Sequence, residues 1–106
     1  MSFLVIATMK HNLSSEEFER ISCEVAEESK DNLRYLWKIW VNNDEEKTGK
    51  TIYLLEDEKD VHETLEYLHM MATLSSTVLR GFSTEVFTVL EKPSMLNKAP
   101  LRDFQE

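Results

Sequence analysis

The chain has 106 residues, with 20 acidic and 12 basic side chains and a formal net charge of −8. That length fits one domain and excludes two ordinary ones. The acidic balance repels phosphate backbones, which argues against a nucleic-acid partner and against an anionic membrane surface.

Residues 3 to 9 (FLVIATM) predict a first strand. This stretch is too short and too poor in flanking basic residues for a secretory leader, and no apolar run reaches membrane-spanning length. A helix follows from Ser14, with Glu17 three residues on in a capping-box pattern and Phe18, Ile21 and Val25 on one face. It is expected to end near Lys30 to Asn32. Cys23, the only cysteine, falls away from the apolar face. With no possible intrachain disulfide, a reducing, cytoplasmic setting is expected. Leu33 to Val41 (LRYLWKIWV) gives the strongest strand signal. Asn42 to Lys50 reads as a hairpin loop and Thr51 to Glu56 as the returning strand. Asp57 can cap a second helix carrying Val61, Leu65, Leu68 and Ala72 on one face, fraying near Leu74 to Ser76. Thr84 to Leu90 predicts a fourth strand. Beyond it Pro93 and Pro100 leave a tail that is extended or only briefly helical.

The order strand, helix, strand, strand, helix, strand is that of a ferredoxin-like βαββαβ sandwich. This is an α+β fold with a four-stranded antiparallel sheet and both helices on one face. Residues 1 to 91 form this domain, and residues 92 to 106 are a tail packing on its own or a partner subunit. Strand alternation sends Tyr35, Trp37, Ile39 and Val41 one way and Leu36, Lys38 and Trp40 the other. The remaining strands are likewise apolar on both sides. Two helices cover only one face, so the second needs a cover of its own. A homodimer packed sheet to sheet supplies it. The alternative is the tail, with Met95, Leu96, Leu101 and Phe104, folding back.

The segment Tyr35-Leu36-Trp37-Lys38-Ile39-Trp40 is followed by Ile52-Tyr53-Leu54-Leu55 and Asp57-Glu58-Lys59. Further on come Val86-Phe87-Thr88-Val89, Ser94 and Leu96-Asn97. In this order and spacing, over roughly residues 33 to 101, the blocks resemble the YdhR-type mono-oxygenase family. The resemblance implies a dimeric α/β barrel of ferredoxin-like subunits, akin to the antibiotic-biosynthesis monooxygenases. Some of these wider relatives oxidise aromatic, polyketide-like compounds with oxygen and no bound metal or flavin, and others degrade haem. The family's Trp-Lys-x-Trp positions fall on Trp37, Lys38 and Trp40, and its strand tyrosine falls on Tyr53.

The residues support that reading in different degrees. Lys38 and Tyr53 are the candidate catalytic groups. A lysine in an apolar row can hold an oxyanion, or instead form an interface ion pair or snorkel. Tyr53 can donate a proton or simply close the core. Trp37, Trp40, His62 and His69 are candidate substrate contacts. The two tryptophans lie on opposite faces of one strand, so at most one touches a given ligand within a subunit. His62 and His69 are seven apart on one helix, about 10 Å along its axis. That is too far to share a metal, and each can also be an ordinary boundary histidine. His11 can sit at a cavity mouth. No HExxH, CxxC, nucleophile elbow or phosphate-binding glycine pattern occurs. The expected function is a monooxygenase acting on a small hydrophobic or aromatic compound with no stored cofactor. The alternatives are a dimeric, non-enzymatic binding protein for such a ligand, a haem-degrading enzyme, and a purely structural dimer module.

Overall fold

The computed structural model describes residues 1–31, 33–74 and 80–101. The chain runs β1 (Phe3–Lys10), α1 (Ser15–Ser29), β2 (Trp37–Asn43), β3 (Thr48–Leu55), α2 (Glu58–Leu74), β4 (Arg80–Thr88) and α3 (Glu91–Leu96). The strands form one antiparallel sheet in the order β2-β3-β1-β4. This is the expected ferredoxin-like arrangement, with the first strand central and the hairpin strand β2 at an edge. No helix among the described residues is long and apolar enough to cross a membrane.

Local chemistry sets the helix starts. The Ser14 hydroxyl accepts the Glu17 N–H at 3.2 Å, and the same hydroxyl donates to Glu17 Oε1 at 3.2 Å. The cap thereby satisfies an amide that has no helical acceptor and orders the first turn. Asp57 Oδ1 accepts the Lys59 N–H at 3.0 Å and caps α2 in the same way. In α3 Pro93 falls in the first turn, where its missing N–H costs no helical bond. The expected ends of α1 and α2 near Asn32, Ser75 and Ser76 fall partly outside the described residues, as does Phe104.

Two strand windows differ from expectation. β2 begins at Trp37, not Leu33, and continues through Asn42 and Asn43, which face Gly49 and Thr48 of β3. Polar side chains at the exposed end of a hairpin ladder carry no hydrophobic signal, although their backbones still pair. The loop therefore shrinks to Asp44–Lys47, tied down by the Lys47 ammonium on Leu13 O at 2.9 Å and Asp44 Oδ1 at 3.0 Å. Because Tyr35 precedes the strand, alternation does not bind it to the Trp37 side. It turns instead toward the core and meets Tyr53 edge-on, with ring centroids 5.8 Å apart. β4 begins earlier than expected, at Arg80. Thr8 faces Ser83 while Lys10 faces Arg80, so β4 carries one extra residue. Gly81, at φ 56°, supplies the left-handed conformation such a bulge uses.

The core lies between the sheet and the helices. Phe3, Val5 and Ala7 of β1, Tyr53 and Leu55 of β3, and Val61 and Leu68 of α2 are buried together. The opposite face holds Leu4, Ile6, Ile52, Leu54, Trp37, Ile39, Val41 and Phe87 by register. The tail covers one corner of it: the Trp37 indole N–H donates to Pro100 O at 2.7 Å, and Leu101 is buried. Ser2 joins the two ends of this region. Its carbonyl accepts the Val89 N–H at 2.8 Å and its hydroxyl donates to Glu91 at 3.0 Å. Ile39, Val41 and Phe87 remain 47%, 41% and 50% exposed.

Candidate functional site

Residue parity on β2 determines what enters the space beneath the helices. Lys38 pairs with Tyr53, and Trp40 pairs with Thr51. All four side chains therefore project from the sheet toward α1 and α2, while Trp37 and Ile39 project away. The helices do not close fully over them. A cavity of about 310 Å³ remains, at the lower end of the range for small-molecule sites. Its floor is Met9, Thr51, Tyr53, Lys38, Trp40 and Phe82. Its walls are Phe18, Ile21, Ser22 and Val25 from α1, and Tyr67, Leu68, Met71, Ala72 and Leu74 from α2. Leu13 adds to one end.

Among the described lining residues Lys38 carries the only charge. Its Nζ lies 4.2 Å from the Trp40 ring centroid and 4.7 Å from that of Tyr53, so the cation rests against two π faces. No carboxylate among the described residues forms a salt bridge with it. Burial lowers its pKa from the usual lysine value to about 8. An inward-pointing lysine on an edge strand also discourages strand-to-strand aggregation. That role does not require the ammonium to sit inside a cavity against aromatic rings. Burial pushes the Tyr53 phenol the other way, well above its ordinary value, so it stays protonated and can donate. Thr51 is buried, and its hydroxyl lies beside that of Tyr53 with no full hydrogen bond of its own. Two groups thus stand ready for a polar atom on an otherwise apolar ligand: an ammonium and a phenol.

The candidate expected at the cavity mouth, His11, does not line the cavity but stands behind one of its wall residues. His11 is buried and stacks on Phe18 with ring centroids 4.3 Å apart. Its Nδ1 accepts the Leu13 N–H at 3.1 Å, and its Nε2 lies 2.9 Å from Asn42 Oδ1. The two bonds and the stack on Phe18 fix the ring's position behind the cavity wall. Phe18 in turn lies on Gly49, where a Cβ would overlap its ring.

The candidate residues divide cleanly. Lys38, Tyr53 and Trp40 converge on the cavity. Trp37 lies on the other face of the sheet, held by the tail. His62 and His69 project into solvent from the outer side of α2, and His62 pairs with Glu66 at 3.0 Å. The helices pack through Val61, Thr64 and Leu68, and the histidines lie off that line, which keeps them from the cavity. Among the described residues no three His, Cys, Asp or Glu side chains gather to hold a metal ion. Thr51, Tyr67 and Phe18 are lining residues that sequence reading missed. For Thr51 the register opposite Trp40 was the available signal. Tyr67 lay beside the apolar stripe of α2 without a pattern to mark it.

No curated protein matches the chain. The match to a family model reaches from residue 4 through residue 100, taking in β1 and α1 as well as the strand motifs. The described site therefore lies wholly within the matched span, and the chain belongs to the family described as "Putative mono-oxygenase ydhR".

Proposed function

We propose that this chain is a homodimeric, cytoplasmic monooxygenase that oxidises a small hydrophobic or aromatic compound without bound metal or flavin. The observation that carries this reading is the Lys38 ammonium, seated against Trp40 and Tyr53 inside an apolar cavity. In this scheme the substrate is its own reductant. An activated ring CH₂ gives its proton to water at the open side of the cavity, and the resulting anion is delocalised onto an adjacent oxygen. Lys38 and the Tyr53 hydroxyl hold that oxyanion, and Trp40 packs the ring. The carbanion adds to O₂, forming a C–O bond and a peroxide, which takes up a proton. Loss of water then leaves a carbonyl, so that CH₂ and O₂ become C=O and H₂O. The apolar walls exclude solvent from the anion.

The test is oxygen uptake across a panel of phenols, quinols and anthrone-like compounds. At least one should be consumed with one O₂ per carbonyl formed, and Lys38→Met should lower kcat by roughly 10²-fold, the usual loss for one oxyanion donor. A flat rate across the panel overturns the reading. Binding of the same compounds without turnover selects the second reading, a dimeric binding protein. One observation favours that rival: among the described residues lining the cavity, Lys38 apart, none is an evident base near neutral pH.

A further inference from the structure

We infer that the cavity selects a ligand with one negative charge, an anionic oxygen conjugated to an apolar body, and that Lys38 is the residue that reads the charge. The inference rests on the cavity as the ligand site, and it is independent of whether oxygen chemistry takes place there. An ammonium taken out of water calls for a counter-charge. Lys38 has aromatic faces on two sides and no carboxylate partner among the described residues. The rings offset part of the lost hydration but supply no hydrogen-bond acceptor. The rest of the lining is apolar, apart from uncharged hydroxyls. One of these, the Tyr53 hydroxyl, is held protonated by burial and stands beside Lys38. A carboxylate or a phenolate entering the cavity supplies the acceptor that both groups call for. It accepts a charge-assisted bond from Lys38 and a second bond from the Tyr53 hydroxyl. A neutral molecule of the same shape leaves the ammonium unpaired, and a cation opposes it. A dianion brings a second charge for which the described lining holds no partner.

The ionisable groups facing Lys38 are few. Tyr53 stands opposite on β3 and Tyr67 on α2, while α1 contributes none to the lining. Anion binding should therefore follow the protonation of Lys38 itself. Since Lys38 releases its proton near pH 8, affinity for an anion should be full below that value and fall above it.

Calorimetric titration of the intact protein tests this with matched pairs. The first pair is 2-naphthoate against 2-naphthamide, and the second is 2,4-dinitro-1-naphthol, ionised at neutral pH, against its methyl ether. At pH 7 the anion of at least one pair should bind about ten- to a hundredfold tighter than its neutral partner, the range of a bond to a charged group. The pair with the larger ratio identifies the carboxylate or the phenolate as the preferred head. Lys38→Met should bring the ratio near one while keeping the neutral ligand's affinity, and Lys38→Arg should preserve it. At pH 9.5 the wild-type ratio should fall. Equal affinities within both pairs overturn the inference, as does discrimination that survives in Lys38→Met. Anion selectivity without oxygen uptake leaves this inference standing and removes the oxygenase. Oxygen uptake without anion selectivity does the reverse.

Discussion

At neutral pH Lys38 imposes a cost on the fold. The folded chain releases this proton near pH 8, while an unfolded lysine holds it to an ordinary value of 10.5. Between those values the unfolded state binds more protons, so stability rises with pH across the window. Below pH 8 both states are protonated and the penalty for burying the charge is fully present. Lys38→Met removes the charge and keeps a long apolar stem against Trp40. It should raise the melting temperature at pH 7 by about 4–8 °C, the equivalent of roughly 1 kcal/mol in a domain of this size. The difference from wild type should shrink between pH 8 and 10.5. Thermal denaturation of both proteins across pH checks this, and an equal or lower melting temperature for the variant at pH 7 contradicts it. Gain in stability with loss of ligand discrimination is the signature of a group retained for binding. The lysine was legible as a candidate from its place in an aromatic strand. Its lack of a carboxylate partner among the described residues was not, because in a chain with 20 acidic residues only the packing shows which of them pair.

Elements were legible where burial imposes a period and illegible where it does not. The six-element order followed from apolar runs and from the caps at Ser14 and Asp57, all of which the structure contains. The windows of β2 and β4 slid because their ends are polar or exposed, and pairing there is a property of the backbone. That slip mattered for Tyr35, whose direction follows the true start of β2. The contact between α1 and β3 was also hidden. Phe18 lies on Gly49 and is backed by His11, an arrangement in which the glycine is required for closeness rather than for backbone freedom. Gly49→Ala should therefore destabilise the protein by about 1–3 kcal/mol, the usual cost of overpacking. The displaced Phe18 should also alter the cavity wall. A urea midpoint that moves down measures the first effect. An unchanged midpoint would mean that α1 rides over the sheet with room to spare.

For the whole molecule, the two faces of the sheet have different fates. One is closed by helices around a cavity. Among the described residues the other is covered at one corner, where the Trp37 indole bonds Pro100 O and Leu101 is buried. Ile39 and Val41 on one edge strand, β2, and Phe87 on the other, β4, are half-exposed on this face. An apolar face of this kind fits the proposed pairing of two sheets about a twofold axis. Ile39→Glu combined with Phe87→Glu should halve the mass seen by light scattering while leaving the far-ultraviolet circular dichroism unchanged. A wild-type protein that is already monomeric at micromolar concentration refutes the dimer. The two-sided character of the sheet was readable from strand alternation. How far the tail shares in covering it was not, because a single indole-to-carbonyl bond across 63 positions leaves no pattern in sequence. The odd spacing of the two tryptophans has a practical result. Trp37 reports on the tail and the open face, and Trp40 reports on the cavity, with the sheet between them. Trp37→Phe and Trp40→Phe each leave one indole. Each variant is thus an intrinsic fluorophore for one event, emission from Trp40 following ligand entry and emission from Trp37 following tail release or subunit pairing, so the two processes can be timed separately without any added dye.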